Sequence, residues 1–175
     1  RKPSISWFLN SNAHAAFAVQ ARVLPVAVPR GTTRCGLNEY VENLPFVALV
    51  DDDEHSAHLL TRMMLAHGSP DVRWYGGAED GRRMLAGVLA DPHADWPGLL
   101  IVDLKAHSGA NLEFVASIQS LARQKGVPVV VMSPPLDRHG RAALHEAGAS
   151  AVFFRHAERD AYRREAAGIV SFWAR

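Results

Sequence analysis

Cysteine is almost missing from this chain: Cys35 is the single thiol among 175 residues. An internal disulfide is thereby excluded, and the usage fits a reducing, cytoplasmic setting. An excess of either charge is also lacking, with 19 basic and 18 acidic residues and a formal net charge of +1. Direct nucleic-acid binding is therefore not expected, because there is no basic footprint. No apolar run approaches the roughly 20 residues needed to span a bilayer. Acidic residues are absent before Glu39, so residues 1–44 carry Arg1, Lys2, Arg22, Arg30 and Arg34 against Glu39 and Glu42 alone. That bias would suit a targeting or membrane-surface segment, but His14, Gln20, Arg22 and Pro25 break its most apolar part, and Pro25, Pro29 and Gly31 interrupt any helix. The expectation is a flexible extension over residues 1–44 and one folded domain over residues 45–175.

What is present is ample apolar content, 48% of residues, enough for a sizeable core. Its most informative stretch is Leu99-Leu100-Ile101-Val102-Asp103, an all-apolar run that ends on a carboxylate. Flanked by Pro97-Gly98 and by the loop from Leu104 to Gly109, it reads as a parallel strand buried on both faces. Asp103 then emerges at the carboxyl edge of a sheet, where open α/β folds bind ligands. Phe46-Val47-Ala48-Leu49-Val50 repeats the pattern and runs into Asp51-Asp52-Asp53. If the two strands are neighbours, at least three carboxylates converge at one edge.

From Phe46 onward, apolar strands alternate with helical stripes at the spacing of successive βα units. Ala57, Leu60 and Met64 stripe a first helix, and Val72-Arg73-Trp74-Tyr75 alternates as an edge strand does. Met84, Leu85, Val88 and Leu89 mark a second helix, and Leu112, Val115, Ile118 and Ala122 a third. Val127 to Met132 is a fourth strand, with Pro128 near its start, where a missing donor is tolerated. A helix from Arg141 to Ala147, a fifth strand Ala151-Val152-Phe153-Phe154 and a last helix striped by Tyr162, Ala166, Ile169 and Trp173 complete the pattern. Arg163, Arg164 and Glu165 read as the solvent side of that last helix.

The order of these units, with Asp51-Asp52 after the first strand, Asp103 after the third and Ser133 after the fourth, resembles the receiver domain of two-component response regulators. Leu49-Val50-Asp51-Asp52-Asp53, Ile101-Val102-Asp103-Leu104, Gly109 to Phe114, Pro128 to Ser133 and Glu146-Ala147-Gly148-Ala149 carry the resemblance, which covers Phe46 to about Trp173. It implies a doubly wound, flavodoxin-like sheet of five parallel strands in the order 2-1-3-4-5. Asp103 would accept a phosphoryl group from a histidine kinase or phosphotransfer protein. Asp51, Asp52, Asp103 and the Lys105 backbone carbonyl would hold Mg²⁺. Ser133 would bind a phosphoryl oxygen as the switch hydroxyl, and Asp53, Lys105 and Pro135 would shape the pocket mouth. The resemblance further implies a signalling element, not an enzyme, acting on a downstream protein partner or a second copy of itself. No stretch for an effector domain follows the last helix, so its output is expected through its surface.

The chain departs from the receiver pattern in several places. Arg155 stands where a lysine is usual after the fifth strand, and His156 where a proline follows, which removes the reason for a cis bond there. Val152 occupies the switch position, with Phe153 beside it, and Asn111 stands where glycine is common. Lys105 and Pro135 offer no amide or carboxylate to position water. Slow self-dephosphorylation is expected, with Asp53 and Lys105 pairing across the mouth. Two other readings compete. One is a degenerate receiver that works as a phosphorylation-independent interaction module. The other is a haloacid-dehalogenase-like phosphatase using Asp51-x-Asp53 with Ser133. His55 and His58 read as a solvated face, not a metal site.

Overall fold

The computed structural model describes residues 45–175, so the expected N-terminal extension and its boundary lie outside the described residues. Strands β1 (Val47–Asp51), β2 (Val72–Trp74), β3 (Leu99–Asp103), β4 (Val129–Ser133) and β5 (Ala151–Phe154) alternate with helices α1 (Glu54–Ala66), α2 (Ala78–Ala90), α3 (Ala110–Gln124), α4 (Arg138–Ala147) and α5 (Arg159–Trp173). All strand pairs are parallel and the sheet order is β2-β1-β3-β4-β5, as the receiver resemblance implies.

The three central strands are buried along their full length, which is why their sequences are continuous apolar runs without alternation. Side-chain alternation divides them between two cores. Val47, Leu49, Leu99, Ile101, Val130 and Met132 pack against α1 and α5. Ala48, Val50, Leu100, Val102, Val129 and Val131 pack against α2, α3 and α4. Gly81 lets α2 approach β1: a Cβ there would lie 2.8 Å from Val50 Cγ1 and 2.9 Å from Cγ2.

Three expectations shift. Met84 is 46% and Leu112 38% exposed, because the apolar faces of α2 and α3 run through Gly81, Leu85 and Leu89 and through Phe114, Val115 and Ile118. Helix α4 begins at Arg138, before the expected Arg141, since the Asp137 carboxylate accepts the Gly140 N–H at 2.7 Å and caps the extra turn. Strand β4 starts at Val129, and Pro128, just outside, still offers its carbonyl to the Leu100 N–H at 3.0 Å.

Candidate functional site

β1 and β3 are adjacent and in register, so their last residues, Asp51 and Asp103, are partners across the ladder. Both are fully buried. β4 delivers Ser133 to the same sheet edge, and the chain leaving β5 delivers Arg155, whose N–H donates to the Ser133 carbonyl at 2.7 Å. Of the sequence-predicted residues, the structure brings Asp51, Asp103, Lys105 and Arg155 into direct contact.

Arg155 Nε donates to Asp103 Oδ1 at 2.9 Å, and Nη2 lies 2.6 Å from the same oxygen as an ion-pair contact without hydrogen-bond alignment. Lys105 folds back over the strand end: its ammonium reaches Asp51 Oδ1 at 2.5 Å, donates to the Asp103 carbonyl at 2.9 Å and lies 3.3 Å from Asp103 Oδ2. Each cationic side chain keeps about a quarter of its surface in solvent, 23% for Lys105 and 24% for Arg155. Asp51 Oδ2 and Asp103 Oδ2 are buried without a hydrogen-bond partner. Burial lifts the Asp103 carboxyl above its ordinary value; the charges of Lys105 and Arg155 oppose the rise without cancelling it, and Asp51 adds to it. Burial, then the charges of Asp103 and Asp51, also push the Tyr162 phenol upward.

The remaining acidic residues are engaged elsewhere. Asp52 is exposed, and its carboxylate accepts the N–H groups of Lys105, at 3.0 and 2.9 Å, and Ala106, at 2.8 Å, clasping the β3–α3 loop. Asp53 caps α1 through the His55 N–H at 3.0 Å and does not pair with Lys105, whose ammonium goes inward. Among the described residues, no three or more His, Cys, Asp or Glu side chains are grouped to hold a metal ion. The two unpartnered buried oxygens nevertheless suit a hard divalent cation, whose ligands are carboxylates and carbonyls.

Ser133 is buried and its hydroxyl donates to the Pro134 carbonyl at 2.9 Å, while Pro135 is exposed in the loop before α4. Val152 packs on the α3–α4 side and Phe153 on the α5 side, edge-on to Phe172 with centroids 6.5 Å apart. A cleft of about 390 Å³ opens between α3 and α4, with Lys105, Asn111, Ser133 and Arg155 in its wall.

Sequence reasoning missed three residues. Asn111, read as a glycine substitute tolerant of unusual backbone, lies inside α3; its side-chain oxygen accepts the Leu104 N–H at 2.9 Å and its nitrogen donates to the Met132 carbonyl at 3.0 Å, tying β3 to β4 behind the site. Glu165, read as solvent-facing, accepts the Phe154 N–H at 3.3 Å and contacts His156 Nε2 at 3.1 Å, holding the chain beside Arg155. Its sequence signal was only a charge that breaks an otherwise apolar edge. Trp74 donates its indole N–H to the Asp51 carbonyl at 2.9 Å.

No protein-family profile and no curated protein matches the chain. Solved structures do. The chain is similar to the Mn²⁺-bound response regulator Rcp1, with TM-score 0.57, 20% identity, and 74% of this chain and 94% of that one covered. It is similar to the phosphorylated cyanobacterial phytochrome response regulator RcpA, with TM-score 0.59, 20% identity and the same coverage, 74% and 94%. A protein of Burkholderia thailandensis ascribed to pilus assembly has TM-score 0.57, 18% identity and coverage of 75% and 98%. The architecture is thus the receiver fold of response regulators. Among the described residues no helix is long and apolar enough to cross a membrane.

Proposed function

We propose that this chain is a response regulator receiver that takes a phosphoryl group on Asp103 from a phosphohistidine of a kinase or phosphotransfer protein and signals through a protein partner. The observation that carries the reading is the buried Asp51–Asp103 pair at the carboxyl edge of the sheet, with a guanidinium on the acceptor carboxylate. An Asp103 oxygen would attack phosphorus while the phosphorus–nitrogen bond of the donor breaks, the electron pair going to the leaving imidazole nitrogen, which takes its proton from water. Mg²⁺ held by Asp51, Asp103 and the Lys105 carbonyl would neutralise and align the transferring group, with Asp52 joining only after releasing the β3–α3 loop. Arg155 would grip phosphoryl oxygens as a planar fork. Ser133 would leave the Pro134 carbonyl for a phosphoryl oxygen and draw the β4–α4 loop inward.

A second reading has its own support. Lys105 and Arg155 balance the two buried carboxylates without any metal, as a phosphorylation-independent interaction module would require. Incubation of the full chain with Mg²⁺ and acetyl phosphate, followed by intact mass on the wild type and on Asp103→Asn, separates the two. A gain of one phosphoryl group in the wild type alone supports the acceptor; no gain in either favours the interaction module.

A further inference from the structure

We infer that the Lys105 ammonium is the resident cation of the Asp51–Asp103 pair, and that a divalent metal enters only by displacing it. This rests on the reading of the pair as a metal-assisted acceptor site. Three oxygens converge on Lys105 Nζ: Asp51 Oδ1, Asp103 Oδ2 and the Asp103 carbonyl. That is the work of a small hard cation bridging two strand ends, done here by a side chain that starts two residues beyond Asp103.

Charge and geometry make this a competition. With Lys105 and Arg155 in place the buried pair is already neutralised, and a divalent ion added beside them would leave the cluster with two surplus positive charges. Of the ammonium's three N–H donors, two are committed, to Asp51 Oδ1 and the Asp103 carbonyl, yet Asp51 Oδ2 still lacks a partner and Asp103 Oδ2 has an ion-pair contact without a hydrogen bond. A metal ion, with its larger coordination number, would serve those oxygens. The partly exposed Lys105 stem offers the way out: rotation carries the ammonium into water. Asp52 belongs to the same device, since its carboxylate holds the Lys105 and Ala106 N–H groups and so fixes the loop that presents the lysine.

The test is Mn²⁺ binding to the full chain, followed by electron paramagnetic resonance of the free ion, for the wild type, Lys105→Met and Lys105→Arg. Lys105→Met is expected to bind roughly tenfold more tightly than the wild type, and Lys105→Arg to stay weak. Equal or weaker binding by Lys105→Met, or tight binding by Lys105→Arg, overturns the inference. Because Lys105→Met leaves a buried pair short of positive charge, its thermal midpoint is measured with and without Mn²⁺. It should fall without the ion and recover with it, and a variant unfolded in both conditions counts against the inference. Acetyl phosphate mass shifts on the same samples keep the two readings apart: tighter Mn²⁺ binding with no mass gain sinks the acceptor but leaves Lys105 as resident cation, and a mass gain with unchanged Mn²⁺ affinity does the reverse.

Discussion

Arg155 sets two of its nitrogens on a single oxygen of Asp103, Oδ1, and leaves Oδ2 to Lys105. The guanidinium is therefore a counter-ion of the unmodified carboxylate, and under the proposed function it would also grip a phosphoryl group. Arg155→Ala strands a buried charge and is expected to lower stability at neutral pH by about 2 kcal/mol, discounted for the part of Arg155 that water reaches. The loss should shrink on acidification as Asp103 takes up its proton. Urea midpoints at neutral and acid pH check both parts.

Asp103→Asn is expected to act in the opposite direction. The Asp103 carboxyl is held above its ordinary value by burial, so the native state binds the proton more tightly than the unfolded chain does. Its contribution is favourable below the ordinary carboxylate range and is lost as pH rises through the folded value. Removing the charge should stabilise the fold at neutral pH by about 1 kcal/mol, since both cations can turn to water. The gain should vanish near pH 3. Chemical denaturation across that range reads the difference; a gain that grows toward acid would contradict it.

Asn111→Ala is expected to cost about 2 kcal/mol, because the Leu104 N–H and Met132 carbonyl are buried and each loses its side-chain partner. Amide hydrogen exchange should localise the effect, with faster exchange at Leu104 than in α1.

At Gly81, helix propensity and packing oppose each other. Alanine gains up to about 1 kcal/mol of helix propensity, but its Cβ would fall within 2.9 Å of both Val50 methyl carbons. Overpacking of this kind costs about 1–3 kcal/mol, so Gly81→Ala should destabilise. Val50→Ala should cancel the penalty, giving a Gly81→Ala/Val50→Ala double variant more stable than the sum of the two single changes. A thermodynamic cycle of unfolding free energies measures that coupling.

The sheet was legible because β1, β3 and β4 are buried on both faces, a condition that leaves little room for anything but apolar runs. The convergence of Asp51 and Asp103 at one sheet edge was legible for a related reason: a carboxylate at the end of such a run has no core role to explain it. Strand order came from resemblance, since nothing in an apolar run names its neighbour. Lys105 was placed at the pocket mouth by the receiver resemblance, from its position two residues beyond Asp103. Its inward course depends on Asp51, 54 residues away, and on Asp52 holding the loop, neither of which is local. Glu165 was misread similarly, because helical spacing cannot reveal that its partner is the edge of β5. Met84 was misread because Gly81, with no side chain to count as apolar, turns out to centre the buried face of α2.

The indole of Trp74 donates to the carbonyl of Asp51, so the outermost strand carries a chromophore wired to the acid pair. Indole emission shifts with its hydrogen bond and with nearby charge. Any event that exchanges the cation at Asp51 should alter the light emitted at the far edge of the sheet, giving the chain an optical readout of its own occupancy that needs no attached dye.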